Sequence, residues 1–423
     1  NVTFSGTRVY DGTTTVNASD LTTINNLVGS ETLTFNGSGT VASGNVGTGK
    51  SITNGSLALV SGTGSASNYN LTTGTYDITQ RWVNFSGSRA YDATTSVSNS
   101  VLTMSNLVSG ETLGVSGSGT IASAIIGAGK SVSVGSLALA NGSGLASNYT
   151  FGTLSVNVTQ RAVTISGSKV YDGSTTVNNS DIGTINNLAG GETLSITGSG
   201  SIASAEVASS KTLSLGTIAL ADNTGAASNY SLTSGTLNVT ARPITMSGSR
   251  IYNGSTTVSN SDLTTFNNIV SGETLAISGS GTVSSKNIGN SKSVTLGSLA
   301  LANNTGNASN YSLSSAALDI VERPLNISST RAYDATTSTS SSNITFGNLA
   351  GSETINKSGT ISTSSSNVGS YSTGNINTDS LSLSDGSSGG IASNYTLTGG
   401  THSAAITQKA LGSTGTRVYD GTN

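Results

Sequence analysis

Along the chain, apolar residues recur at every second position in short runs and then give way to Gly, Ser, Thr and Asn. In the first 81 residues the pairs are Val2/Phe4, Arg8/Tyr10, Leu33/Phe35, Leu57/Leu59, Tyr69/Leu71 and Tyr76/Ile78. Spacing of i and i+2 puts both members on one face of a strand. The first pair returns as Val83/Phe85, Val163/Ile165, Ile244/Met246 and Leu325/Ile327, so identity drifts while parity holds. Asn-Gly steps such as Asn36-Gly37, Asn54-Gly55 and Asn141-Gly142 supply turns with positive φ. No useful stretch carries a 3.6-residue period, and the pattern predicts small all-β units of roughly seven to nine strands.

Three markers set one period. A first tyrosine stands at Tyr10, Tyr91, Tyr171, Tyr252, Tyr333 and Tyr419, in steps of 81, 80, 81, 81 and 86 residues. A Ser-Asn-Tyr motif places Tyr69, Tyr149, Tyr230, Tyr311 and Tyr395, and a basic residue follows at Arg81, Arg161, Arg242, Arg323 and Lys409. The expected fold is a tandem array of five β-sandwich-like domains: 1–81, 82–161, 162–242, 243–323 and 324–409, with 410–423 opening a truncated sixth. The chain thus reads as a segment of a longer array.

At each joint the facing parity flips. Ile78 and Val83 are an odd number of residues apart, as are Val158 and Val163, and Val239 and Ile244. A last strand should therefore run almost directly into the next first strand and feed a different core, with the basic residue at the crossing. Pro243 and Pro324 directly follow two of the joint arginines and stiffen that crossing. No Gly/Ser linker intervenes, so the array is expected to be a semi-rigid rod. A unit of this size buries only about 60% of its unfolded surface, which makes contacts between neighbours important.

Composition narrows the function. Charged residues are 9% of the chain, against roughly 25% in an ordinary domain, but 34% is hydrophobic and the net charge is only -3, which excludes disorder. There is no Cys and one His, His402, so thiol chemistry is excluded and general-base or metal chemistry has almost nothing to use. The 17 Lys and Arg are scattered singly, which excludes a nucleic-acid-binding patch. No apolar run reaches the roughly 18 residues of a membrane span.

Glu31, Glu111, Glu192 and Glu273 precede Lys50, Lys130, Lys211 and Lys292 by 19 residues each. They are expected to form ion pairs between strands of one unit, worth about 0 to 1 kcal/mol if exposed. Glu353 has no such lysine, and Lys357 is its expected substitute. Asp11, Asp92, Asp172, Asp334 and Asp420 follow the first tyrosine, with Asn253 in the fourth unit. Both residue types cap a turn by accepting a backbone N–H two residues on, so the exchange argues against a metal ligand. The marker tyrosines read as core, their hydroxyls bonded to backbone. Trp82 reads as a joint contact and His402 as a tolerated surface residue. No catalytic, metal or cofactor residues are expected, nor an enzyme.

The segments "RVYDGTT", "GETL", "VGTGKSI" and "LALVSGTGSASNYNLTTGTYDITQR" resemble the YDG-type repeats, related to the MBG-type bacterial β-domains, of large secreted adhesins similar to filamentous haemagglutinin. The resemblance implies an extracellular protein of a bacterial surface or biofilm matrix, exported by two-partner secretion. It further implies a structural stalk that holds a binding tip away from the cell. The expected partners are neighbouring repeats, other copies of the filament or extracellular polysaccharide. The alternative is an array of glycan-binding modules, which would need a repeated exposed aromatic residue.

Overall fold

Val2 and Phe4 turn inward, their neighbours outward, and the first of eight strands in repeat 1 follows from that alternation. The strands are β1 (Val2–Val9), β2 (Thr15–Asn17), β3 (Leu21–Asn25), β4 (Leu33–Asn36), β5 (Ser38–Val41), β6 (Gly47–Thr53), β7 (Ala58–Ser61) and β8 (Leu71–Thr79). In the computed structural model, which describes residues 1–415, 418, 419 and 421, no α-helix occurs among the described residues. None of its helices is long and apolar enough to cross a membrane.

Six strands form a sheet in the order β2-β5-β6-β8-β1-β3, while β4 and β7 pair as a separate ribbon. Phe35 on the ribbon brings its ring to 5.2 Å from that of Phe4 on β1, which joins ribbon to sheet across the core. Val16, Val41, Ile52, Leu57, Tyr76 and Ile78 fill the space around them. The chain is therefore all-β and built of tandem β-domains, as the alternation predicts.

Every pairing in repeat 1 is antiparallel except one. β1 and β8, the first and last strands, run parallel, from Phe4 beside Gly74 to Val9 beside Thr79. Repeat 2 does the same with Arg81–Ala90 and Tyr149–Thr159. So do repeat 4, with Arg242–Ile251 and Tyr311–Val321, and repeat 5, with Asn326–Ala332 and His402–Thr407.

The joints are as short as the parity flip requires. β8 ends at Thr79 and the next strand starts at Arg81, leaving Gln80 between them. Ile78 and Val83 are both buried, each in its own repeat. Single residues likewise separate Thr159 from Arg161, Thr240 from Arg242 and Val321 from Arg323.

The residues gather into two compact units. One comprises Asn1–Gly167, Thr176–Ile202 and Thr212–Leu237; the other comprises Ser168–Thr175, Ala203–Lys211 and Asn238–Asn423. Repeats 1 and 2 lie in the first unit and repeats 4 and 5 in the second, while repeat 3 contributes to both.

Candidate functional site

The marker tyrosines and glutamates meet at the joints. In the first unit, Glu111 accepts a hydrogen bond from Tyr10 of the preceding repeat and another from Tyr149 of its own, one on each carboxylate oxygen and both at 2.5 Å. The two rings lie edge to face, 5.4 Å apart. Glu192 takes Tyr91 and Tyr230 in the same way, at 2.6 and 2.5 Å. In the second unit, Glu273 takes Tyr171 and Tyr311 at 2.5 and 2.6 Å, and Glu353 takes Tyr252 and Tyr395 at 2.7 Å each.

Each Ser-Asn-Tyr hydroxyl also accepts a backbone N–H, from Val108, Ala189, Val270 and Ala350 at 3.1 to 3.2 Å. The expected bond to backbone is thus present in the Ser-Asn-Tyr series, with a carboxylate bond added to it, whereas the hydroxyls of Tyr10, Tyr91, Tyr171 and Tyr252 bond a carboxylate instead. All eight tyrosines in these four clusters are buried. Tyr69 donates to Glu31 and is half-buried, whereas Tyr333 is 37% exposed.

Two further contacts fasten each joint. Arg81 donates from Nε to the Asn106 carbonyl at 2.7 Å, from Nη2 to Asn106 Oδ1 at 2.9 Å and from Nη1 to the Tyr10 carbonyl at 3.4 Å. Arg161 and Arg242 repeat all three bonds with Asn187 and Tyr91, and with Asn268 and Tyr171. Arg323 bonds the Asn348 and Tyr252 carbonyls. The asparagine of Ser-Asn-Tyr reaches back one repeat: Asn148, Asn229, Asn310 and Asn394 accept the N–H of Val46, Ile126, Val207 and Ile288. Lys409 is exposed, beyond the last strand.

Burial raises these phenols, because a phenolate would lose its hydration, and the neighbouring carboxylate raises them again. Burial and then Glu111 push Tyr149 up to about 12. Tyr91, Tyr311 and Tyr395 also reach about 12, and Tyr171 and Tyr252 rise further. Burial pulls the Glu353 carboxyl up, but Lys286, Tyr395 and Tyr252 outweigh this and hold it below the usual range.

None of the four expected ion pairs, Glu31/Lys50, Glu111/Lys130, Glu192/Lys211 and Glu273/Lys292, forms. The glutamates face the joint and are taken by phenols, while Lys130 and Lys292 fold back onto the carbonyls of Ile125 and Asn287. Lys211 donates to the Ser204 carbonyl. The cation at Glu353 is Lys286 of the preceding repeat, and Lys357 instead lies over the Phe346 ring. Trp82 is 68% exposed, so it is no packed joint contact. His402 is buried, and its Nε2 donates to the Leu397 carbonyl at 3.0 Å.

A family model for the YDG domain matches four successive stretches: residues 1–76, 78–156, 154–237 and 235–318. The chain belongs to the YDG domain family. No curated protein matches it. The three residues of the YDG motif have separate tasks. Tyr10 closes the joint; Asp11 accepts the Thr13 N–H at 2.9 Å; Gly12, at φ 78°, leaves space where a Cβ would lie 3.0 Å from Val108 of the next repeat.

Asp92, Asp172 and Asp334 cap the same turn, and Asn253 does so at 3.0 Å. Asp420 lies outside the described residues. The aspartate also pairs with a basic residue three positions earlier: Arg8, Arg89, Lys169 and Arg331. Where Asn253 removes that charge, Arg250 turns to Asp262 at 3.2 Å. These basic residues, the Ser-Asn-Tyr asparagine and the asparagine under each joint arginine went unassigned from sequence. Their recurrence once per period was the available signal.

Proposed function

We propose that these YDG repeats are a load-bearing spacer of an extracellular bacterial adhesin or matrix filament, holding a binding element away from the cell. The observation behind this reading is the parallel pairing of first and last strands. Tension along the chain enters a repeat at the N-terminal end of β1 and leaves at the C-terminal end of β8. In a parallel pair these are opposite ends of neighbouring strands, so the load runs along them and strains all the crossing hydrogen bonds together. An antiparallel pair would instead open one bond at a time. The Tyr-Glu-Tyr clusters and the arginines support the same reading, since they fasten joints one residue long.

Single-molecule stretching of the chain tests it. The expected trace is a series of similar force peaks, each releasing about 250 Å, from roughly 80 residues at about 3.4 Å apiece less the folded length. A chain that lengthens smoothly at low force would overturn the spacer reading.

A further inference from the structure

Trp82 is the one tryptophan of the chain and stands 68% exposed. The other joints have Ala162, Pro243 and Pro324 at its position. It borders a cleft of about 380 Å³ whose other walls are Val9, Thr79, Gln80, Arg81 and Asn106.

The polar groups of this cleft are fixed in place. Arg81 is held by three neutral oxygens, and Asn106, which supplies two of them, donates from Nδ2 to the Trp82 carbonyl at 2.7 Å. A guanidinium has five N–H donors, so two remain for a ligand. No carboxylate pairs with Arg81 among the described residues. The cleft therefore combines an open indole face with a rigid, unneutralised cation carrying spare donors. An aromatic plane accepts the C–H face of a sugar ring, and a guanidinium donates charge-assisted hydrogen bonds to a carboxylate. Cationic ligands would be repelled, and neutral sugars would leave the charge unused.

We propose that this cleft binds an acidic saccharide, with the ring of a uronate on Trp82 and its carboxylate on Arg81. The site occurs at one joint only and does not depend on the spacer reading. Arg161, Arg242 and Arg323 lack the indole and serve as internal controls.

Trp82 is also the reporter. Tetragalacturonate and tetramannuronate are titrated into the whole chain while tryptophan emission is read, with fully methyl-esterified tetragalacturonate as the neutral comparison. At least one acidic oligomer should give a saturable change, bind about tenfold more tightly than the ester and weaken with added salt. By calorimetry, Trp82→Ala should abolish binding with an unchanged melting temperature, and Trp82→Phe should retain part of it. No saturable signal up to about 10 mM, equal binding of acid and ester, or full binding by Trp82→Ala would each overturn the proposal.

Discussion

A phenol donating to a carboxylate makes a stronger bond than one donating to a neutral oxygen, because the acceptor carries charge. Glu111 makes two such bonds with buried tyrosines. Glu111→Ala should therefore leave both hydroxyls short of an acceptor and cost about 2 to 4 kcal/mol, seen as earlier melting of part of the chain in a calorimetric scan. The residue scale also shows what sequence could and could not reveal. The Asp11 turn was legible because its partner, Thr13, is two residues away. The role of Glu111 was not, because one of its partners lies 101 residues earlier in another repeat. A constant spacing to Lys130 is produced by the repeat itself, whether or not the two side chains meet. Lys286 was hidden for the same reason, being 67 residues from Glu353.

For the elements, alternating pairs located β1, β4, β7 and β8 but not β2, β3, β5 and β6, which carry no such pair, and the odd step across each joint located the change of core. Direction was invisible, since a period of two is the same for a parallel and an antiparallel neighbour. The feature that carries the functional reading was thus the one the pattern could not contain. The bulge in β1 is similarly hidden. At Gly6 the register with β3 shifts, and a Cβ there would lie 2.3 Å from the Asp20 carbonyl oxygen. Backbone cannot give way as a side-chain end can, so Gly6→Ala should destabilise repeat 1 by about 1 to 3 kcal/mol, measured by denaturant unfolding. Repeat 5 has Ser329 at this place, and its strand pairs Ser329 with Ile344 without a register shift.

For the molecule as a whole, the joint phenols bear on the response to alkaline pH. Tyr91, Tyr149, Tyr311 and Tyr395 hold their protons to about 12, against 10.0 for a free phenol. The native state then binds more protons than the unfolded chain once pH exceeds 10, so stability is intact below 10 and is lost as pH rises towards 12. Melting temperature should fall steeply across that window, with the tyrosinate absorbance of the joint residues appearing only as the fold is lost. A loss of stability centred well below 10 would mean the phenols are not the groups responsible. The period was legible at this scale. The fastening between repeats was not, because every cluster is assembled from two of them.

That division has a genetic consequence. Each cluster takes one tyrosine from the repeat before the joint and its glutamate and second tyrosine from the repeat after it. An in-register crossover between any two repeats of the gene would bring a first half against a second half and rebuild a complete cluster. Whole periods can therefore be gained or lost by recombination with every Tyr-Glu-Tyr cluster still complete, so the number of repeats can change one at a time while the fold of each stays the same.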